Sequence, residues 1–492
     1  MRIYKDKSGQ IALQIIMFST IATILLTGFL SWGYAVSDAV IRSGERFSAE
    51  QIAEAGIEYY RWHLAHDPHD FQDGTGHAGP YTHIYSNKNG NQVGQFILDI
   101  TPPVQGSTIV TVQSTGLITE DPKISKILKV RMGIPSFTKF AAALNDNVRF
   151  GQGTDVYGAI YSNGGIHFDG TAHNLISSAL PSYKDPDHAG NSEFGVHTHV
   201  NPPPATGVTN TFIAAEAPPS PVMNRPDVFF VGRQFPVPAI DFTGITANLT
   251  QIKADASSSG VYFPPSGASG YHIVLKTNNT FDLYLVNSVM RAPNGCVSVL
   301  GQQNWGTWSI DTGGETFVKT YNFPSNNLIF VEDNLWIDGQ INNAKLTIAA
   351  GVFPFNNSNM ASITVNNNLL YTNFDGKDSL GLIAQGDFNV GLVSADTLTI
   401  DGALIAQNGR AGRDYYKSGT NNQGRCSPYD TRSTLNLYGM LMSYGRYGFA
   451  YTDGTGYTTR NITYDPNLLY GPPPSFPSAA NTYQVISWEE IK

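Results

Sequence analysis

The sequence predicts a mainly β protein with one long N-terminal α-helix, a small antiparallel β-meander and a large β-solenoid of the right-handed parallel β-helix type. Three observations support this prediction: a long uncharged run near the N-terminus, four strand-like segments after it, and recurring short apolar runs from about residue 140 to 450. The predicted domains are a leader peptide at 1–9, a helix at 10–66, a meander at 67–134, a solenoid at 135–470 with a Pro-rich insertion at about 175–270, and a C-terminal tail at 471–492.

The first part of the helix is long enough to cross a membrane. The uncharged run covers about residues 11–36, and about 20 apolar residues span the roughly 30 Å of bilayer hydrocarbon. The apolar core of a secretory signal is shorter, at about 7–15 residues. Basic residues precede the run, which predicts a cytoplasmic N-terminus and an exterior C-terminus. A removable export signal, a permanent anchor and a filament-forming helix all share this pattern.

The helical pattern continues beyond the membrane run and becomes amphipathic. Four small or apolar residues fall on one face at helical spacing: Ile52, Ala55, Gly56 and Tyr59. Asp67-Pro68 ends the pattern, because Pro cannot continue a helix. A helix of this length needs a partner along its length, and we expect the amphipathic half to pack on the meander.

These N-terminal features resemble a known family. A short charged leader ending in Gly9, followed by an apolar helix that becomes amphipathic, resembles the class III signal of type IV pilins and pseudopilins. The segment AEAGIEYYRW at 53–62 resembles the end of the N-terminal helix in minor pilins of the PilX kind. The resemblance implies that a prepilin peptidase cuts between Gly9 and Gln10, although family members usually carry Phe or Met at that first mature position. Major pilins carry Glu at the fifth mature position, where this chain has Gln14.

The resemblance implies a function in assembly. The chain is expected to be a minor pilin or pilin-like subunit of a type IV pilus system, located in the cell membrane and then in the pilus or at the cell surface. Its implied partners are membrane lipid before assembly, other pilin subunits, the pilus assembly machinery and the prepilin peptidase. Its solenoid, a large C-terminal β-rich extension, is expected to adhere to surface carbohydrate or a host-cell ligand. The residues expected to serve helix assembly are Gln14, Ile52, Ala55, Gly56 and Tyr59.

Two alternatives remain open at this stage. A stationary, single-pass adhesin or envelope scaffold would carry the same helix and never enter a filament. An extracellular β-helix enzyme acting on carbohydrate is less favoured, because the acidic residues are scattered and form no paired constellation. We therefore predict no catalytic residues, no cofactor and no enzyme activity.

The two β regions differ in their sequence patterns. Four segments rich in β-branched and aromatic residues predict the meander, at 81–86, 95–101, 107–116 and 124–132, with a hairpin at Asn89-Gly90. In the later region, three-to-five-residue strands alternate with Gly or Asn corners, as in stacked coils. Antiparallel sandwich or barrel modules are the alternative. The residues predicted to face the coil centre are Ile329, Val331, Leu335, Ile337, Leu346, Ile348, Ile363, Val365, Leu380, Leu382, Leu398, Ile400, Leu404, Leu435 and Leu437.

Composition excludes one class of partner. The formal net charge is −9, and the chain has no basic cluster after its leader, so nucleic acid is not an expected partner. The two cysteines, Cys296 and Cys426, are either two separate thiols or one disulfide, which an exported domain permits.

Two histidine motifs raise the question of a metal site. His197 and His199 form an H-x-H pair with Glu193 nearby, and His167 and His173 flank Asp169. Histidines at i and i+2 of a strand point the same way and could share a metal ion. We expect the first pair to be surface histidines on a loop and the second pair to be turn residues. The sequence therefore predicts no metal ligands.

Overall fold

The computed structural model describes residues 8–103, 108–134, 139–188, 190–240, 242, 249–298, 302, 304–418, 426–476 and 483–491. The chain forms two compact units. The first, called here the N-terminal unit, comprises Met1–Pro102, Val110–Gly133 and Thr482–Lys492. The second, the β-rich unit, comprises Pro103–Ile109 and Ile134–Asn481.

The described residues form two α-helices, many strands and short 3₁₀ turns. The helices are α1 (Ser8–His66) and α2 (Leu249–Ser259). The strands are β1 (Tyr81–Ser86), β2 (Gln92–Thr101), β3 (Val110–Ile118), β4 (Ser125–Gly133), β5 (Ala142–Leu144), β6 (Val148–Phe150), β7 (Thr154–Tyr157), β8 (Ile160–Ser162), β9 (Ile166–Phe168), β10 (Thr171–Ala172), β11 (Ile176–Ser178), β12 (Ser182–Tyr183), β13 (Glu193–Phe194), β14 (Val196–His197), β15 (Arg233–Gln234), β16 (Val261–Phe263), β17 (Gly270–Lys276), β18 (Thr280–Val286), β19 (Cys296–Val297), β20 (Glu315–Asn322), β21 (Leu328–Val331), β22 (Leu335–Ile341), β23 (Lys345–Ala350), β24 (Ile363–Thr364), β25 (Leu369–Tyr371), β26 (Ser379–Ala384), β27 (Phe388–Val390), β28 (Thr397–Ala406), β29 (Ala411–Arg413), β30 (Lys417–Ser418), β31 (Thr431–Ser443), β32 (Gly456–Tyr464) and β33 (Gln484–Ile491).

In the N-terminal unit, one long helix precedes an antiparallel sheet. Helix α1 is continuous over 59 residues, which confirms the predicted long N-terminal helix. The sheet has the order β1-β2-β3-β4-β33, and all four of its neighbouring pairs are antiparallel. The four predicted meander strands are present, with boundaries that differ by a few residues.

The second half of α1 packs closely on this sheet. Its buried face presents Ala49, Ile52, Ala53, Gly56, Ile57, Tyr60 and Leu64. Glycines make the close approach feasible: a Cβ atom on Gly116 would lie 2.0 Å from the Ala49 carbonyl oxygen, and one on Gly56 would lie 2.3 Å from Ser114 Oγ. Small residues on both surfaces therefore set the distance between helix and sheet.

The first half of α1 is different, because its large apolar side chains are exposed. Ile16, Phe18, Leu26 and Phe29 each expose more than 60% of their surface. The helix is long and apolar enough to cross a membrane, with a mean hydropathy of 2.0 in its most apolar window and none of that window buried. This exposure is compatible with a membrane anchor.

The C-terminus returns to the N-terminal unit, which changes the predicted domain order. Strand β33 pairs with β4 in antiparallel register, from Gln484 opposite Gly133 to Ile491 opposite Ile127. The predicted tail at 471–492 is therefore not a free tail in the described residues 483–491. In chain topology, the β-rich unit is an insertion between two neighbouring strands rather than a C-terminal extension. A pattern search along the chain misses this arrangement because β33 lies about 350 residues from its partner.

Parallel pairing dominates the β-rich unit. Ten strands form one parallel ladder in the order β16-β21-β23-β26-β28-β31-β5-β8-β11-β15. A second parallel ladder runs β17-β22-β25-β28-β31-β32-β7-β10. Antiparallel pairs also occur, as in β17-β18-β20. The chain thus combines one long helix with parallel and antiparallel sheets.

The stacking order in these ladders departs from chain order. Strand β5, near the start of the unit, pairs with β31, near its end, through Ala142 opposite Leu441. Residues 142–178 therefore stack beyond residues 431–464, an order on which the predicted solenoid at 135–470 made no statement. The sequence pattern of each strand is the same whether strands stack in chain order or not. Only the pairing between distant strands distinguishes the two arrangements.

Aliphatic side chains fill the interior of the β-rich unit. All fifteen residues predicted to face the coil centre belong to one buried cluster. A second cluster packs α2 on the other side of the ladder through Leu249, Ile252 and Ala256. This helix lies in the predicted Pro-rich insertion, where no helix was expected, and the same region contains β11–β16.

Candidate functional site

The residues predicted for processing and assembly lie along α1. Gly9 and Gln10 belong to its first turn, while leader residues 1–7 lie outside the described part of the chain. Gln14 is exposed on the apolar half, whereas Ala55 and Tyr59 are partly buried.

Two predicted assembly residues have a different role. Ile52 is 2% exposed and Gly56 is buried, because both pack against the sheet of their own unit. Both side chains are therefore covered by the sheet, whereas Gln14 on the apolar half is exposed.

A second candidate lies in the β-rich unit, where histidine and carboxylate side chains converge. We call this set the histidine–carboxylate cluster; its members are His167, Asp185, His188, Glu193, His197 and His199. The prediction of surface loop histidines is wrong, since His197 and His199 are fully buried. His167 is also buried, and it lies on a strand rather than in a turn.

Strand register brings the first two histidines together. Strands β9 and β14 are parallel, with His197 directly opposite His167, and the two ring centroids are 4.8 Å apart. Side chains alternate along a strand, so Ile166 and Phe168 enter the hydrophobic core while His167 points to the opposite face. His199, two residues beyond His197, reaches the same cluster.

A short hairpin covers that face and supplies the carboxylates. Strands β12 and β13 are antiparallel, with Tyr183 opposite Glu193. Asp185 follows β12, and His188 lies in the connecting turn. The cluster is therefore assembled from β9, the central strand of the three-stranded parallel sheet β6-β9-β14, and from the segment 182–199, called here the hairpin segment, whose described residues are 182–188 and 190–199.

The distances within the cluster are short. His167 Nδ1 and His197 Nε2 lie 2.6 and 3.4 Å from the same atom, Asp185 Oδ2. His199 Nε2 lies 2.8 Å from Glu193 Oε1, while the Nε2 atoms of His188 and His197 each lie 3.2 Å from Glu193 Oε2. One ligand atom each from His167, Asp185, His197 and His199 can be chosen so that all four lie within 4.8 Å of one another. These side chains could hold a metal ion.

Burial and neighbouring charges act in opposite directions on the cluster. Burial would raise the pKa of Asp185, but hydrogen bonds from His167 and His197 lower it well below its usual range. Burial lowers the pKa of His197. For His167, burial favours the neutral ring, but the neighbouring carboxylates Asp169 and Asp185 outweigh it and raise the pKa.

A surrounding layer fixes the cluster in place. Asp169 accepts a hydrogen bond of 2.9 Å from the His199 backbone N–H, and Arg149 donates to it at 3.0 Å. Arg149 also lies 3.8 Å from Asp187. Thr198 N–H donates to the buried Glu216 carboxylate, which also pairs with Arg233.

His173, the remaining histidine of the two sequence motifs, does not join the cluster. The ring of His173 stacks on Tyr157 at 3.9 Å and lies 3.8 Å from Asp155. Sequence reasoning identified His197, His199 and Glu193 as neighbours but missed Asp185 and His188. The density of such residues in the segment DPDHAGNSEFGVHTH, 185–199, was the available signal.

Two further features of the β-rich unit bear on function. Cys296 and Cys426 form a disulfide, with their Cα atoms 4.8 Å apart. A cleft of about 940 Å³ is lined by polar, cationic and aromatic side chains that include Arg149, Arg446 and Tyr451.

Comparison with known proteins adds little. No protein-family model matches the chain, and no curated protein is similar to it. Among solved structures, the chain is similar to the competence-associated pilin ComZ from Thermus thermophilus, with 13% identity, 91% of this chain and 97% of that chain covered, and a TM-score of 0.29. A TM-score this low does not establish a common fold.

Proposed function

We propose that this chain is a minor pilin-like subunit of a type IV pilus system. The observation that carries the proposal is the division of α1, which is unbroken from Ser8 to His66. Its first half exposes apolar side chains, while its second half is buried on an antiparallel sheet. Such a helix can leave the bilayer by exchanging lipid contacts for contacts with the apolar halves of other helices, because both surroundings bury the same surface.

We further propose that the parallel ladders are the faces of a β-solenoid. Each ladder recruits strands from successive parts of the chain in parallel register, as stacked coils require. Connections between parallel strands of one sheet are usually right-handed, so we expect the coils to wind in the right-handed sense.

Adhesion is the proposed role of the β-rich unit. Support comes from the cleft described above, which is lined by Arg446 and by the ring of Tyr451; the Arg446 guanidinium pairs with Asp187 and has further N–H groups for a ligand. Such a surface suits a carbohydrate that carries acidic groups, because guanidinium groups bind carboxylates in bidentate geometry. Cells carrying Arg446→Glu are expected to adhere less to immobilised acidic glycans, with unchanged surface levels of the protein.

The mature N-terminus tests the assembly proposal. We expect protein from membranes of its native host to begin at Gln10, and we expect it in sheared filaments as well. Gly9→Leu should retain Met1 and remain in the membrane, whereas the control Gly28→Ala, a change in the apolar run where a Cβ atom meets no neighbour within 4 Å, should be processed normally. Mass spectrometry of the N-terminal peptide gives the readout.

Two outcomes favour the alternative function. An intact Met1 in the wild-type protein supports a stationary single-pass adhesin or scaffold. A processed chain that is absent from sheared filaments also contradicts the filament role.

A further inference from the structure

In the histidine–carboxylate cluster, the two nitrogens of the His197 and His199 rings face different partners. His197 Nδ1 lies 3.3 Å from the Phe194 carbonyl oxygen, and His199 Nδ1 lies 3.0 Å from the Thr209 carbonyl oxygen. A carbonyl oxygen only accepts, so each Nδ1 carries the hydrogen. The Nε2 atoms of both rings point the other way, at carboxylate oxygens: His197 Nε2 lies 3.4 Å from Asp185 Oδ2 and 3.2 Å from Glu193 Oε2, and His199 Nε2 lies 2.8 Å from Glu193 Oε1.

Several of these atoms lack hydrogen-bond partners in the described residues. His197 Nε2, Glu193 Oε2 and both ring nitrogens of His188 are buried without a hydrogen bond of acceptable geometry, whereas His167 Nε2 lies 2.8 Å from Asp169 Oδ2. Buried polar atoms in folded proteins are normally satisfied, and groups that are not need a physical explanation. A cation among these atoms would satisfy them together.

The negative charges of two buried carboxylates also favour a bound cation. The side chains of Asp185 and Glu193 are 1% and 0% exposed. Buried carboxylates are paired with cations or coordinate metals, because burying an isolated charge is very costly. Arg149 is engaged instead with Asp169 and Asp187. A divalent ion would neutralise Asp185 and Glu193 together.

We propose that the histidine–carboxylate cluster binds a divalent transition-metal ion of the Zn²⁺ class. Three imidazoles and one carboxylate, from His167, His197, His199 and Asp185, are a ligand set that suits this ion. Ligands of a tetrahedral Zn²⁺ ion lie about 3.3 Å apart, given Zn–N distances of about 2.0–2.1 Å. The 3.4 Å separation of His197 Nε2 and Asp185 Oδ2 is close to this value.

Ligand orientation supports the same assignment. Metal-bound histidines normally donate their second ring N–H to a carbonyl or carboxylate, which fixes the ring and the tautomer. The Nδ1 bonds of His197 and His199 to backbone carbonyls have this form. Asp185 and His199 also belong to a second group with His188 and Glu193, which surrounds the other side of the same space.

The site is structural in character. Its ligands are buried, as in closed metal sites, and they come from strand β9 of the three-stranded sheet and from the hairpin segment 182–199. The ion would therefore fasten this hairpin segment onto strand β9. Asp187, which lines the cleft, lies two residues from the ligand Asp185, so the ion also holds part of the cleft wall.

Metal analysis of the detergent-solubilised full chain tests the site. After incubation with Zn²⁺ and removal of free ion, we expect at least one Zn²⁺ per wild-type chain by mass spectrometry. His197→Gln and Glu193→Gln should weaken Zn²⁺ binding by at least tenfold. The matched control is His173→Gln, which removes a histidine of the same unit outside the cluster, and it should bind as the wild type does. Equal loss in the control, or no Zn²⁺ in the wild type, overturns the proposal.

A second measurement does not depend on variants that fold. Chelation of the wild-type protein should speed proteolysis within the hairpin segment 182–199, and added Zn²⁺ should restore protection while the ladders stay protected. Unchanged proteolysis after verified removal of metal overturns the proposal. Restoration by Ca²⁺ or Mg²⁺ but not by Zn²⁺ overturns the assignment of metal class. A Co²⁺-loaded chain should also show visible absorption that His197→Gln reduces.

Discussion

The N-terminal unit and the β-rich unit exclude water in different ways. In the first, one helix lies on one face of an antiparallel sheet, and glycines such as Gly56 and Gly116 allow their backbones to approach. In the second, parallel register stacks like residues on like, as Ile348 on Leu382 and Leu382 on Leu404. The first core depends on the absence of side-chain volume at a few positions, whereas the second depends on its presence along whole rows.

The difference also affects how each unit tolerates substitution. Each buried aliphatic residue in a row contacts many neighbours. Its contribution to the free energy of unfolding therefore depends on the volume that its side chain fills. A close helix–sheet contact has no spare room, so an added side chain must displace the backbone. Truncation should therefore be the informative change in the β-rich unit, and enlargement the informative change in the N-terminal unit.

The largest effect is expected from truncation in the β-rich unit. Leu369 is fully buried, whereas its neighbour Leu370 is only partly buried. Leu369→Ala should lower the free energy of unfolding by about 3 kcal/mol, through lost burial and the cavity that remains. Leu370→Ala is the matched control and should cost less than about 1 kcal/mol. Hydrogen exchange of peptides from each unit, in the full chain, gives the measurement; equal effects of the two variants would contradict the stacked-row description.

Enlargement in the N-terminal unit is expected to have the next largest effect. A Cβ atom on Gly56 would lie 2.9 Å from Phe96 Cδ2, whereas one on Gly44 meets no atom within 4 Å. Gly56→Leu should destabilise the packing of helix on sheet by about 2 kcal/mol. Gly44→Leu in the same helix should not destabilise it, since Leu has the higher helix propensity. The readout is hydrogen exchange in β2 and β3, and unchanged exchange in Gly56→Leu would be evidence against the close contact.

The smallest effect is expected from a buried carboxyl group of the β-rich unit. Burial raises the pKa of Asp401 to about 6, although the Tyr371 N–H bond opposes this shift. The folded protein thus holds this proton more tightly than the unfolded chain, whose Asp pKa is about 3.9. The resulting stability is present below pH 4 and is lost as the pH rises through 6.

The full shift corresponds to about 3 kcal/mol at pH 8. An amide replaces a protonated carboxyl group imperfectly, so Asp401→Asn should recover only about 1 kcal/mol of this at pH 8 and have little effect at pH 4. The exposed Asp99, in the N-terminal unit, provides the control variant Asp99→Asn. Chemical denaturation at the two pH values, followed by fluorescence, measures the difference. An equal increase in the free energy of unfolding at both pH values would exclude titration of Asp401 as the cause.

Local patterns predicted much of the fold. The extent of α1, the four strands β1–β4 and the fifteen inward residues of the β-rich unit follow from hydrophobic period and turn chemistry, which act over a few residues. Helix α2 was missed because it lies among prolines and carries a weak amphipathic pattern. The burial of Ile52 and Gly56 was not predictable, because one apolar stripe can pack on its own sheet or on another chain.

The candidate cluster was predictable only in part. The H-x-H pair and Glu193 were recognised, and alternation along a strand correctly gives His197 and His199 a common direction. Their burial was not predictable, because it depends on the hairpin segment 182–199 folding over β9. The stacking of His197 on His167 depends on a parallel register between strands 30 residues apart.

By itself, the sequence determined the long helix, its apolar and amphipathic halves, and the aliphatic rows, since each is written in the spacing of neighbouring residues. Only the tertiary structure decided that β33 closes the N-terminal sheet, that residues 142–178 stack beyond 431–464, and that six ionisable side chains meet in one buried space. The physical reason is that these features depend on pairing between distant strands. Such pairing is selected by the packing of the whole chain and leaves no periodic signal in either partner.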